Sequence, residues 1–112
     1  MSQPEWFDWA QSERNIGDYF RAENPQLFAQ VCQLLFDGDP MMIHLIAEPE
    51  GYSPEAGSVL RALPQCQSEQ DVQELLFNVF TQWFSPDFAG GFHQYSATAK
   101  KLWALWLSQQ FE

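Results

Sequence analysis

The sequence predicts an all-α fold, a compact single-domain bundle of four or five helices covering residues 1–112, and three observations predict it. Apolar residues recur at helical spacing in several stretches. Two of those stretches are preceded by a capping residue followed by proline, Asn24-Pro25 and Ser53-Pro54, a pairing that starts helices. The apolar–polar alternation of a half-buried strand is absent, and Met42 to Ala47 is the single run that could serve as one. Hydrophobic residues make up 46% of the chain and aromatic residues 16%, enough to build a core in spite of the net charge. No repeat, low-complexity tract or linker divides it.

Taken in order, Ser2 and Pro4 open a short helix bearing Trp6, Phe7, Trp9 and Ala10, with Glu5 and Asp8 favourably near its positive end; it is expected to stop around Ser12. Gly17 interrupts the next stretch, Arg14 to Phe20, which is read as a second turn or two carrying Ile16, Tyr19 and Phe20. From Asn24-Pro25 the residues Leu27, Phe28, Val31, Cys32, Leu34 and Leu35 form a wide apolar face, and Gly38 ends that helix near Asp37. The segment Asp37 to Tyr52 reads as turns and loop around Pro40, Pro49 and Gly51. A helix follows from Pro54 to about Leu63, where Pro64 stops it; Val59, Leu60 and Leu63 are its buried side, and Gly57 weakens it.

The central element is Ser68 to Phe84. Val72, Leu75, Leu76, Val79, Phe80 and Trp83 lie at i, i+3, i+4, i+7, i+8 and i+11, one continuous stripe at 3.6 residues per turn. Ser68 is placed to cap it, and Glu69, Asp71 and Glu74 put negative charge at its positive end. Phe77 and Phe84 widen the apolar surface, so more than one neighbour is expected to pack there. Ser85, Pro86, Asp87, Gly90 and Gly91 form a loop, and Tyr95, Ala99, Leu102, Trp103 and Trp106 define the last helix, with Lys100 and Lys101 on its exposed side.

Charge bounds the function. Fifteen acids against five bases give a net charge of −10, and Ala22 to Leu60 contains six acids and no Lys or Arg. Such a field repels phosphate backbones and anionic membranes and draws in basic partners, so direct nucleic-acid binding and membrane association are not expected. No segment approaches the roughly 20 apolar residues of a membrane span, and the acidic start lacks the basic region of a signal peptide; a cytoplasmic location is expected. Cys32 and Cys66 form no metal-type or redox motif.

Candidate chemistry is sparse. Asp37-Gly38-Asp39 has the spacing of two cation ligands, but Pro40 and Met41 follow where a calcium loop needs further oxygen ligands, so it reads as an acidic helix-ending turn. His44 sits in an apolar run and His93 beside a glycine-bearing loop, neither with a certified nucleophile or acid partner. No catalytic residue, metal ligand or cofactor is assigned. The Trp and Phe rings lack the cationic neighbours of a nucleotide-stacking platform and are read as core. The acidic segment Asp37 to Glu55 remains, with Asp37, Asp39, Glu48, Glu50, Tyr52 and Glu55 as candidate partner-binding residues. Tyr52 is read there as an exposed anchor; the competing reading is a solvated loop with Tyr52 folded back onto the domain.

Several of these residues carry a resemblance. Asp39-Pro40 with the apolar run after it, Pro49-Glu50-Gly51-Tyr52 with Glu55, a helix ending in Trp83-Phe84, a glycine at Gly90 or Gly91, and Tyr95, Ala99, Lys101, Leu102 and Trp103 resemble a widespread bacterial family of small helical proteins long catalogued as a domain of unknown function. Some relatives look like immunity proteins encoded beside toxins of contact-dependent growth inhibition systems. The resemblance covers about residues 36 to 104; Gly51 stands where the family tends to have an acid, and the first 35 residues have no counterpart in it. It implies a non-enzymatic protein that binds and neutralises a basic toxin domain, plausibly a nuclease, whose surface is cationic because it must hold phosphate. The alternatives are a regulatory adaptor of the same helical kind and a small enzyme using His44 or His93.

Overall fold

A computed structural model describes residues 3–38 and 49–110. Among them lie six α-helices: α1 (Gln3–Glu23), α2 (Pro25–Gly38), α3 (Ser53–Ala62), α4 (Glu69–Phe84), α5 (Pro86–Ala89) and α6 (Ser96–Gln110). Three short 3₁₀ turns, Pro49–Tyr52, Leu63–Gln65 and Phe92–Tyr95, join them, and no strand occurs among the described residues. The all-α expectation therefore holds, with six helices, five of them longer than one turn, where four or five were expected. The addition is α5, a single turn within the segment read as loop.

Helix α4 forms where its sequence places it. Ser68 Oγ accepts from the Asp71 backbone N–H (3.1 Å), and Asp71 Oδ2 accepts in return from the Gln67 N–H (2.9 Å), satisfying two donors at the helix start. Val72, Leu76, Val79, Phe80 and Trp83 are buried and Leu75 is half-buried, so the stripe is the face that meets the core. Phe77 and Phe84 do meet other neighbours. Phe77 packs edge-on against Phe92 (5.9 Å between centroids) and Tyr95 (6.1 Å), and Phe84 stacks on Phe80 (5.8 Å). Phe80 also holds Tyr52 and Tyr95, each at 5.6 Å, making it the hub of an aromatic cluster that ties α4 to both its preceding and following segments. Tyr95 donates its phenolic O–H to the Ala89 carbonyl, which anchors α5 to the start of α6.

Asn24 alone separates α1 from α2. Its N–H donates to the Phe20 carbonyl (2.9 Å), closing one helix, while its Oδ1 accepts from the Leu27 N–H (3.1 Å), opening the next. Phe28, Val31, Cys32 and Leu35 of α2 are buried, as are Ala99 and Leu102 of α6.

The first helix departs from expectation: α1 runs unbroken for 21 residues through Gly17 instead of stopping near Ser12. Its inward stripe is Ala10, Glu13 and Gly17, all buried, so the dry face continues through an acid and a glycine. Gly17 lies where α1 crosses α3. A Cβ built on Gly57 would stand 2.5 Å from Gly17 Cα, so the two backbones touch at a spacing only glycine allows at residue 57. Each glycine lowers local helix propensity, and the contact between the two helices outweighs that loss.

Candidate functional site

Of the six residues proposed for partner contact, Asp37 is exposed at the end of α2, where its Oδ1 accepts from Gln33 Nε2 (2.8 Å). Asp39 and Glu48 lie outside the described residues, as does His44, and Glu50 falls in the Pro49–Tyr52 turn.

Tyr52 and Glu55 correct the expectation of a single exposed acidic surface. Tyr52 is 1% exposed, its ring edge-on to Phe80, because the turn before α3 packs against α2 and carries the ring into the core. Folding back onto the domain is thus the reading that holds for this residue. Glu55 is 3% exposed in the first turn of α3. Burial raises its pKa from an ordinary 4.5 to about 7, against a hydrogen bond from its own backbone N–H and the positive charge of Arg14, both of which lower it. Neither side chain can present itself to a partner on the folded domain.

A second buried acid escaped sequence reasoning. Glu13, 4% exposed, accepts at Oε1 from Ser58 Oγ (2.7 Å) and from Arg61 Nη2 (3.0 Å), while Ser58 Oγ accepts from Trp83 Nε1 (3.0 Å). One hydroxyl thus joins α1, α3 and α4, donating to a carboxylate and accepting from an indole. Arg14 closes the outer side with its guanidinium 5.5 Å from the Trp83 ring centroid, and Trp9 lies 4.8 Å from the same residue's ring. The available signal was that Glu13 continues the i, i+3, i+7 stripe of Ala10 and Gly17, a pattern concealed because two of its three members are not apolar. Replacing Ser58 by Ala strands both the indole N–H and one carboxylate contact in a dry site, and is expected to lower the unfolding free energy by about 2–3 kcal/mol in urea titrations.

His93 is exposed in the turn before α6, its ring edge-on to Phe92 at 6.0 Å. Among the described residues, no group of three or more His, Cys, Asp or Glu is placed to hold a metal ion, and no helix is long and apolar enough to cross a membrane.

The charge distribution is the remaining functional property. Asp8, Asp18, Glu23, Asp37, Glu69, Glu74 and Asp87 are exposed. The arginines are engaged within the fold: Arg61 with Glu13, Arg14 over Trp83, and Arg21 over Phe28 and donating to Ser53 Oγ (2.8 Å). Lys100 and Lys101 stand exposed on α6. Exposed acids therefore stand on α1, at the end of α2, on α4 and on α5. Comparison with protein-family models, curated proteins and solved structures returns no match for this chain.

Proposed function

We propose that this protein acts by occupying a basic partner rather than by transforming a substrate, and that the partner is a toxin domain such as a nuclease, which it neutralises in the cytoplasm as an immunity protein of contact-dependent growth inhibition. The observation that carries the reading is the excess of exposed negative charge: fifteen acids stand against five bases, and among the described residues seven acids are exposed while Arg61 is paired with Glu13. A surface of this sign steers a cationic protein into encounter and complements the groove with which a nuclease holds phosphate. The resemblance of about residues 36–104 to a family of small helical bacterial proteins, some of whose relatives look like immunity proteins, points the same way.

Within this proposal the contact surface centres on Asp37 and the acids that follow it, Asp39, Glu48 and Glu50; Tyr52 and Glu55 leave it because they are buried. Co-expression with the basic domain encoded by an adjacent toxin gene is the test. The expected result is a stable complex, protection of the cell and an association rate that falls as salt rises. Reversing Asp37, Asp39, Glu48 and Glu50 to Lys is expected to slow association at least about tenfold at low ionic strength. Reversing Glu69 and Glu74 on α4 should do much less. Unchanged kinetics after the fourfold reversal would remove this surface, and failure of the pair to associate would remove the immunity reading.

A further inference from the structure

A groove between α1 and α2 is closed at one end by the start of α3. It comprises two adjoining cavities, one of about 230 Å³ that includes Arg14, Asp18 and Pro54 and one of about 410 Å³ that includes Ala29 and Cys32; Arg21, Phe28 and Ser53 line both. The larger is within the range of small-molecule sites. In a chain of net charge −10, two of the five basic residues face this one depression.

Those arginines are poised to receive an anion. Neither forms an ion pair with a carboxylate among the described residues; Arg14 lines the groove with its guanidinium over the Trp83 ring, while Arg21 places its guanidinium over the Phe28 ring, 5.0 Å from the centroid, and donates to the Ser53 hydroxyl. Arg21 has five N–H donors and spends one on the Ser53 hydroxyl, and a carboxylate is a stronger acceptor than a hydroxyl. Arg14, Asp18 and Arg21 follow one another at i, i+4 and i+7 on one side of α1, so the groove wall presents two positive charges and one negative, and Arg14 also acts on the buried Glu55 carboxyl. The net charge of the three favours a single negative charge over a multiply charged phosphate. Beyond the arginines the wall turns apolar at Phe28, Ala29 and Cys32.

We propose that this groove binds an amphiphilic monoanion, a carboxylate carried on a short apolar body, with Arg21 as its principal donor and Asp18 as the residue that sets the charge of the ligand. The site is independent of the toxin-binding surface and would stand if that surface failed.

The test is a ¹H–¹⁵N NMR titration of the full chain with sodium octanoate, with octanol and inorganic phosphate as probes of tail and charge alone. Octanoate is expected to shift the Arg14 and Arg21 Nε–H signals and the Ser53 amide saturably, and both controls to bind at least about tenfold more weakly. Arg21→Gln should weaken octanoate binding by about tenfold or more, with the amide spectrum away from the groove confirming that the variant stays folded. Asp18→Asn should tighten octanoate binding and admit phosphate, a second arm that removes only an exposed charge. Equal octanoate affinity in the wild type and Arg21→Gln, shifts that octanol reproduces, or weaker octanoate binding in Asp18→Asn would each overturn the proposal.

Discussion

Gly57→Ala is expected to destabilise the domain by about 3 kcal/mol, whereas Gly17→Ala is expected to be neutral or to stabilise it by up to about 1 kcal/mol. The asymmetry follows from the crossing of α1 and α3. A methyl group on residue 57 would come within 2.5 Å of Gly17 Cα and 3.0 Å of Gly17 N, backbone atoms that cannot rotate aside. The helices must then separate, and the buried contacts on either side of the crossing loosen with them: Glu13 with Ser58, and Ala10 in the core cluster. A methyl group on residue 17 meets Gly57 Cα at 3.6 Å and the Ser53 carbonyl oxygen at 3.7 Å, ordinary contact distances, and gains the better helix propensity of alanine. Urea titrations compared at equal slope measure both changes. Equal stability of the two variants would mean that the helices do not meet this closely.

Stability is expected to decrease as pH rises from about 4.5 to about 7 through the titration of Glu55, and Glu55→Gln is expected to abolish that component. The carboxyl of the folded chain holds its proton up to about pH 7, while that of the unfolded chain loses it near 4.5. Over that interval the native state binds more protons than the unfolded state, which makes the slope of unfolding free energy against pH negative. The stabilisation by the neutral acid is therefore complete below the lower value and lost above the upper one. The difference corresponds to about 3 kcal/mol. Gln copies the shape of the neutral acid, so the variant should exceed wild type by about that amount at pH 8 and match it at pH 4. Comparing the two proteins across pH isolates Glu55 from the other carboxylates. Parallel profiles would show that the burial of Glu55 does not govern its proton.

The candidate surface was only partly legible in the sequence. Asp37 stands exposed as expected, since it ends a helix just before a glycine. Tyr52 and Glu55 looked equally accessible among Pro, Gly and acids, yet the 3₁₀ turn carries one into the aromatic cluster and the first turn of α3 buries the other. Loop-like composition reports weak local regularity; it does not report which way a side chain points once its neighbours pack.

The contrast between α4 and α1 locates the division. For α4, capping, charge at the helix start and the apolar stripe are all written within seventeen consecutive residues, Ser68 to Phe84, and they determined its boundaries and its buried face. The same local signals determined the start of α2 at Asn24-Pro25 and the all-helical class. The length of α1, the value of Gly57 as a close-contact residue and the burial of Glu13 and Glu55 were decided by tertiary structure alone. Glu13 finds its partners 45 and 48 positions away, and Gly17 meets a glycine on another helix. Hydrophobic period records which face of a helix is dry; whether an acid or a glycine belongs on that face depends on the atoms another segment brings against it.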